Sequence, residues 1–381
     1  MRNALACAVL ALVFLAWSVL CAAQPQRELT MWQLPETGTL PAGVVWTPGT
    51  AYVTLFLTDT LAMLDLTTDT ISGIAIGDGP NALTEKDGYI YVTLALGDAL
   101  VVYKPTKSAM YSYAIPTTGG WPNQLSSALP NPTSAHFAIA QRTSGILSYF
   151  QMDSTQIPDL PVTAPPFSLQ LTKTTSQVQA RVVPVQPYTV YVYPPGAVAQ
   201  SQTPLPPYLQ PPFTEWQVTT GGAYLEDSSV AASGTFWMTR GDNTLIAFDP
   251  STSIASGYLL TAGISAMFVD AASPAGVFFI DWTANAIVQF DTVYGNETSW
   301  SIPGAIMPVG ITVDAAGSVW FIDRGADMLG YLDRSTNNFY LYDVPAGSSP
   351  GGLALGQGGT DMWFVAEHGD YIGKLGSPTI P

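Results

Sequence analysis

The residues able to do chemistry are few, and most sit in turns. His368 lies in a Gly-containing turn with Glu367 beside it, and a neighbouring carboxylate can tune an imidazole as a general base. Asp281 and Asp323 end apolar runs, where hard oxygen ligands suit Mg²⁺ or Ca²⁺, although no Ca²⁺-loop motif is present. Arg240, Asp242 and Arg324 follow equivalent runs, and Trp282 is set in a turn, which makes it the tryptophan to test for ligand contact. His136 precedes another apolar run and is expected at the opposite strand end, so the two histidines should not act together. Cys7 and Cys21 both lie in the first 23 residues, and with two histidines in the chain a zinc site of the usual composition is excluded. Gly347-Ser348-Ser349-Pro350-Gly351 matches G-x-S-x-G, but a nucleophile elbow leads from strand into helix and here a strand pattern follows. No Walker spacing or dinucleotide fingerprint occurs. Polar turn residues also cap strand ends and face water, so position alone does not make any of them a site.

What positions these residues is a repeat. Residues 320–333 (WFIDRGADMLGYLD), 278–291 (FFIDWTANAIVQFD) and 236–249 (FWMTRGDNTLIAFD) are spaced by 42 positions, with relatives starting at Tyr52, Tyr91, Phe137 and Trp363. Each has an apolar pair, a polar turn and a second strand, with a short apolar stretch before it and a strand such as YLYDVP after it. Four short strands in about 42 residues read as a β-propeller blade. The first outer strand, MWQLP from Met31, has no inner strands before it and is expected to complete the last blade and close the ring. Between Phe137 and Phe236, FSLQLTKT from Phe167 reads as an outer strand and TVYVYPPGAV from Thr189 as a degraded core, among Pro-rich stretches. Counting that unit favours eight blades, and treating it as an insertion gives seven. In such a meander the turn between second and third strands shares a face with the turn into the next blade. That face collects Arg240, Asp242, Asp281, Trp282, Asp323, Arg324, Glu367 and His368.

Composition agrees with an all-β chain. Of 381 residues 47% are hydrophobic and 10% charged, with 34 glycines and 31 prolines. The net charge of −16 and the lack of any Lys/Arg stripe argue against nucleic acid and anionic membrane surfaces as partners. Arg2, the apolar run 4–20 and Cys21-Ala22-Ala23 read as a signal peptide over residues 1–23, with a membrane anchor as the alternative if it is not cleaved. The expected organisation is a single propeller domain over residues 24–381, with a Pro-rich insertion or degenerate blade at about 157–213.

Pro308-Val309-Gly310-Ile311-Thr312-Val313-Asp314, followed by Gly317-Ser318-Val319-Trp320-Phe321-Ile322-Asp323, resembles the repeat of the virginiamycin B lyase (streptogramin lyase) family. The likeness is clearest from about Thr235 to Leu375. It implies a seven-bladed propeller and, in the family's enzyme, ring opening of a cyclic depsipeptide lactone by elimination, with a histidine base and Mg²⁺ near a glutamate. The places matching that histidine and glutamate hold Val309 and Asp323, Ser265 and Asp281, and Gly351 and Ala366, so the family's catalytic histidine is absent there. None of Val, Ser or Gly can take a proton unaided near neutral pH.

The expected function is therefore a secreted, disulfide-free binding or scaffold module outside the cell or at its surface. Its partner would be a small molecule, a glycan or a surface protein. The alternatives are a carbon–oxygen lyase of the streptogramin type and a structural subunit of an extracellular homo-oligomer.

Overall fold

Runs of five to eight residues rich in Val, Ile, Phe, Trp and Tyr, separated by Asp, Asn and Gly turns, can only fold as antiparallel meanders. In the computed structural model the described residues are 26–379, apart from 36–37, 128–133, 154–166, 192–200, 203–207, 211–212, 219–223, 262, 272, 274–275 and 357–358. The expectation for residues 1–23 lies outside them. The strands form seven sheets, each built on a four-stranded antiparallel meander, arranged as a β-propeller. The innermost strands of blades 1 to 7 are Pro41–Thr47, Pro80–Lys86, Pro122–Ser127, Leu225–Val230, Ala266–Asp270, Pro308–Val313 and Pro350–Leu355.

The second strand of a blade is apolar at nearly every position because it is covered by sheet neighbours on both edges and by adjacent blades on both faces. Val277–Asp281, Val319–Asp323 and Met362–Ala366 are buried throughout. Phe278 and Ile280 of blade 5 pack with Val319 and Phe321 of blade 6, and Trp320 and Ile322 pack with Met362 and Phe364 of blade 7. One continuous wedge of side chains therefore joins each blade to the next.

The turn after the second strand carries an Asp or Asn in the left-handed region, a conformation these residues tolerate. Asp59, Asp98, Asn243, Asn285, Asp327 and Asp370 all take it. Four of their carboxylates then accept amides from the loop into the next blade. Asp327 takes Gly347 N and Ser349 N, both at 2.7 Å, and Asp370 takes Gly38 N at 2.7 Å and Thr39 N at 2.9 Å. Asp59 and Asp98 bond Gly79 N and Gly119 N in the same way.

The ring closes as the repeat predicts. Gln26–Gln33 pairs antiparallel with Tyr371–Thr379 of blade 7. Trp32 stacks on Trp363 with centroids 5.7 Å apart and donates Nε1–H to Asp69 of blade 1 at 2.7 Å.

The eighth blade does not form, and seven is the count. The segment leaving blade 3 after Ile146–Asp153 supplies single strands that pair, one after another, with the outer edges of other blades. Phe167–Gln170 pairs with blade 1, Thr172–Gln179 with the N-terminal strand in blade 7, Arg181–Pro184 with blade 6 and Tyr188–Tyr191 with blade 5. Ser201–Gln202 then reaches blade 4 and Tyr208–Gln210 blade 3, before Phe213–Gln217 completes blade 3. Only Leu171 separates the strands on blades 1 and 7, and only Ala180 those on blades 7 and 6, so neighbouring outer strands lie end to end around the circumference. FSLQ is thus an outer strand as read, whereas the start of the segment read as a degraded core belongs to Tyr188–Tyr191, a fifth strand outside blade 5, and its residues 192–198 lie outside the described ones. A core strand needs a partner on each edge and cover on each face, and this segment offers isolated strands separated by prolines that cannot donate to a ladder.

Candidate functional site

Each innermost strand breaks register within its first four residues. Such a bulge re-aims side chains, and here it turns the second and third residues of the strand toward the central channel. The channel widens into a cavity of about 390 Å³ on the face of the inter-blade loops. Its second-position layer is Ala42, Asn81, Asn123, Glu226, Met267 and Val309, and its third-position layer is Gly43, Ala82, Gln124, Asp227, Phe268, Gly310 and Gly352. Blades 2 to 4 make the wall polar, while blades 5 to 7 and 1 make it apolar or bare. Phe268 takes φ 42°, in the left-handed region that its counterparts Gly310 (φ 75°) and Gly352 (φ 22°) enter without a Cβ penalty.

The polar half is cross-linked between blades. Thr54 Oγ1–H donates to Asn81 O at 2.7 Å, Asn81 Nδ2–H donates to Asn123 O at 2.9 Å, and Asn123 Nδ2–H donates to Glu226 O at 3.1 Å. Asp227 accepts Ser228 N at 2.6 Å and Val269 N of blade 5 at 2.7 Å. Burial, with the Asp270 carboxylate as a lesser contribution, pushes the Asp227 carboxyl up to about 7 despite these bonds. At the mouth, Arg142 pairs with Glu226 at 3.2 Å, and Arg324 pairs with Glu367. Desolvation raises the Glu367 carboxyl above its usual range, while Arg324 and His368 pull it down. Arg324 Nε is buried without a partner among the described residues.

Of the residues singled out in the sequence, Arg324 and Glu367 meet in the cavity wall. His368 is the next turn residue and is exposed. Arg240 is occupied by Asp242 and by Thr244 Oγ1 at 3.2 Å, away from the cavity. Asp281 accepts Ser265 N, Thr283 N and Ala284 N, and Asp323 accepts Ile306 N, Met307 N and Ala326 N. Both carboxylates are buried and cap strand ends. No group of three His, Cys, Asp or Glu able to hold a metal occurs among the described residues. The ladder also moves one equivalence: Pro308 faces Asp323 and Ala266 faces Asp281, so Met267, not Ser265, stands where Val309 does. His136 sits at the far end of its strand, bonded through Nδ1 to Tyr149 OH at 2.5 Å, and burial lowers its pKa.

Trp282 is 45% exposed on the mouth face, and it is not alone there. Leu57 and Leu96 in the corresponding turns, Trp121, Tyr224 and Ile306 in the inter-blade loops, and Leu259 at a strand end are also exposed. An apolar rim therefore surrounds most of the mouth, with the Arg324–Glu367 pair in the gap. Sequence reasoning missed Arg142, Glu226, Asp227, Asn81, Asn123 and Gln124. Aligning the innermost strands by their third residue would have exposed the polar run.

A comparison with protein-family models finds no match. Curated protein sequences give none either. Solved structures do match. A streptogramin B lyase is 16% identical with TM-score 0.68, covering 92% of this chain and 98% of that one. Virginiamycin B lyase from Staphylococcus aureus, selenomethionine-substituted, is 17% identical with TM-score 0.67, covering 92% and 99%. A catalytically inactive variant of that enzyme, solved with quinupristin, is 17% identical with TM-score 0.69 and the same coverage. The chain is thus similar to these lyases in fold, a β-propeller of their kind.

Proposed function

We propose that this protein is an exported binding module that takes a small amphipathic ligand, or the tip of a larger one, into the channel mouth. The observation that carries this reading is the two-sided wall: the Arg142–Glu226 pair, amides and a buried carboxyl on blades 2 to 4, bare glycines and Phe268 on the other blades with the Arg324–Glu367 pair at their mouth, inside an exposed apolar rim. Ligand sites characteristically combine apolar lining with a few convergent polar groups. The unmet Arg324 Nε donor adds a ready partner. Export follows from reading residues 1–23 as a signal peptide, and mass spectrometry of the N-terminus from culture supernatant checks it.

The test is a thermal-shift panel of quinupristin, argininamide and chitobiose on the wild type, Arg324→Gln and Trp46→Ala. Trp46 lines a separate groove with Tyr52 and Glu85. A shift lost in Arg324→Gln and kept in Trp46→Ala supports the mouth, and the reverse pattern contradicts it.

Lyase chemistry is the second reading, and the fold it shares with the lyases favours it. Against it, the positions matching the family's base hold Met267, Val309 and Gly351. Eliminative opening of quinupristin's ring would change its chromatographic retention without changing its mass. No such product is expected, and its appearance at a catalytic rate would replace the binding reading.

A further inference from the structure

Asp227 ties blade 4 to blade 5 through Val269 N, yet the ring does not require a carboxylate at its position. At the same position of the innermost strand four blades carry Gly43, Ala82, Gly310 or Gly352, and the other two carry Gln124 and Phe268. Six blades therefore close without a carboxylate there. Placing one in a buried wall is costly unless it is paired. Its two backbone amide bonds, from Ser228 N and Val269 N, and its side-chain hydrogen bond with Gln124 leave one of the carboxylate's acceptor sites for a ligand in the cavity.

The surrounding charges say what is missing. Facing Asp227 are Glu226 on its own strand, Asp270 on the blade 5 strand, Arg142 after the second strand of blade 3, and the Gln124 amide. Arg240, on the adjoining strand, is occupied by Asp242. Across the channel Arg324 is matched by Glu367. Asp270 accepts Val313 N at 2.9 Å, so with Asp227 ionised the cavity wall on this side holds the carboxylates of Asp227 and Glu226 against one guanidinium, which Glu226 engages. We propose that Asp227 recognises the cationic group, an ammonium or guanidinium, of a ligand that enters the channel mouth. This rests on the mouth being the ligand site. The apolar half, with Phe268, Ile311 and Leu353, receives the remainder of such a ligand. The chain's net charge of −16 favours cations over anions before contact is made.

The sign of the pH dependence follows. A bound cation favours the ionised carboxylate, so binding below the carboxyl's raised pKa must expel a proton, and affinity climbs with pH until that pKa is passed. An uncharged acceptor would prefer the protonated acid and show the opposite trend.

Benzamidinium and its uncharged near-isostere benzamide separate the two. Isothermal titration calorimetry of the full chain at about pH 5.5 and about pH 8.5, in buffers of different ionisation enthalpy, counts the proton released. Benzamidinium is expected to bind at least about tenfold tighter at the higher pH, with proton release at the lower. Benzamide should show neither effect, and Asp227→Asn should abolish the pH dependence. The proton count needs no variant, so a poorly folding Asp227→Asn protein does not remove the test. Equal benzamidinium affinity at both pH values without proton release overturns the assignment, as does absence of binding. Binding that is pH-independent yet lost in Arg324→Gln would sink Asp227 while leaving the mouth as the ligand site.

Discussion

At Asp227 the carboxyl is held neutral to a pH near 7, and that has a consequence for stability independent of any ligand. In the unfolded chain the group titrates near 4. Between the two values the folded state holds the extra proton, so its contribution to stability is complete below the unfolded pKa and is lost as pH rises through about 7. Glu297 and Glu367, both raised by burial, act with the same sign. Thermal denaturation from about pH 4 to about pH 8 should show a falling midpoint, and Asp227→Asn should flatten the fall. An unchanged slope would mean that the carboxyl is not buried as described. The turn aspartates behave differently. Asp327→Ala removes the acceptor for two loop amides and should cost about 1–3 kcal/mol by urea denaturation. Arg324 and Glu367 could be found from the sequence because they stand in the repeat's most regular turn. Asp227 could not, because an acid at the third position of a short strand is conspicuous only once the seven strands are superposed and the other six lack it. Asp281 and Asp323 share that regularity, and both carboxylates accept amides of the loop into their blade.

Among the elements, the four-stranded blade was legible and the outer belt was not. Alternation and turn chemistry encode that a segment is a strand, but not which edge it joins. Residues 167–179 look like an outer strand from any register, and only the structure shows them bridging blade 1 to the strand that closes the ring. The N-terminal strand is consequently paired on both edges, with Tyr371–Thr379 on one side and Thr172–Gln179 on the other. Hydrogen exchange should find the amides of Gln26–Gln33 protected at alternate positions by each neighbour. Leu171 is buried against the cluster containing Trp32 and Leu34, so Leu171→Ala should cost about 2–3 kcal/mol and accelerate exchange at the amides that face the belt. Slow exchange in that variant would show that the belt does not secure the strand.

Seen as a whole molecule, the seven blades are joined by three devices of different range. Wedges of apolar side chains join neighbours, turn carboxylates tie each blade to the next loop, and the N-terminal strand with its belt closes the circle. The closure concentrates at Trp32, which stacks on Trp363 and bonds Asp69 across the junction. Trp32→Ala should cost about 3–5 kcal/mol in urea denaturation, more than a surface change of equal size. A ring closed this firmly gives a rigid channel whose mouth is already formed, ready to receive a ligand without rearrangement. Crystallographic screening of a chemically varied fragment set against the wild-type protein tests it most directly. Fragments should gather in the mouth, touching Arg324, Glu226 or Asp227. Fragments that instead occupy only the groove at Trp46 and Tyr52 would contradict it.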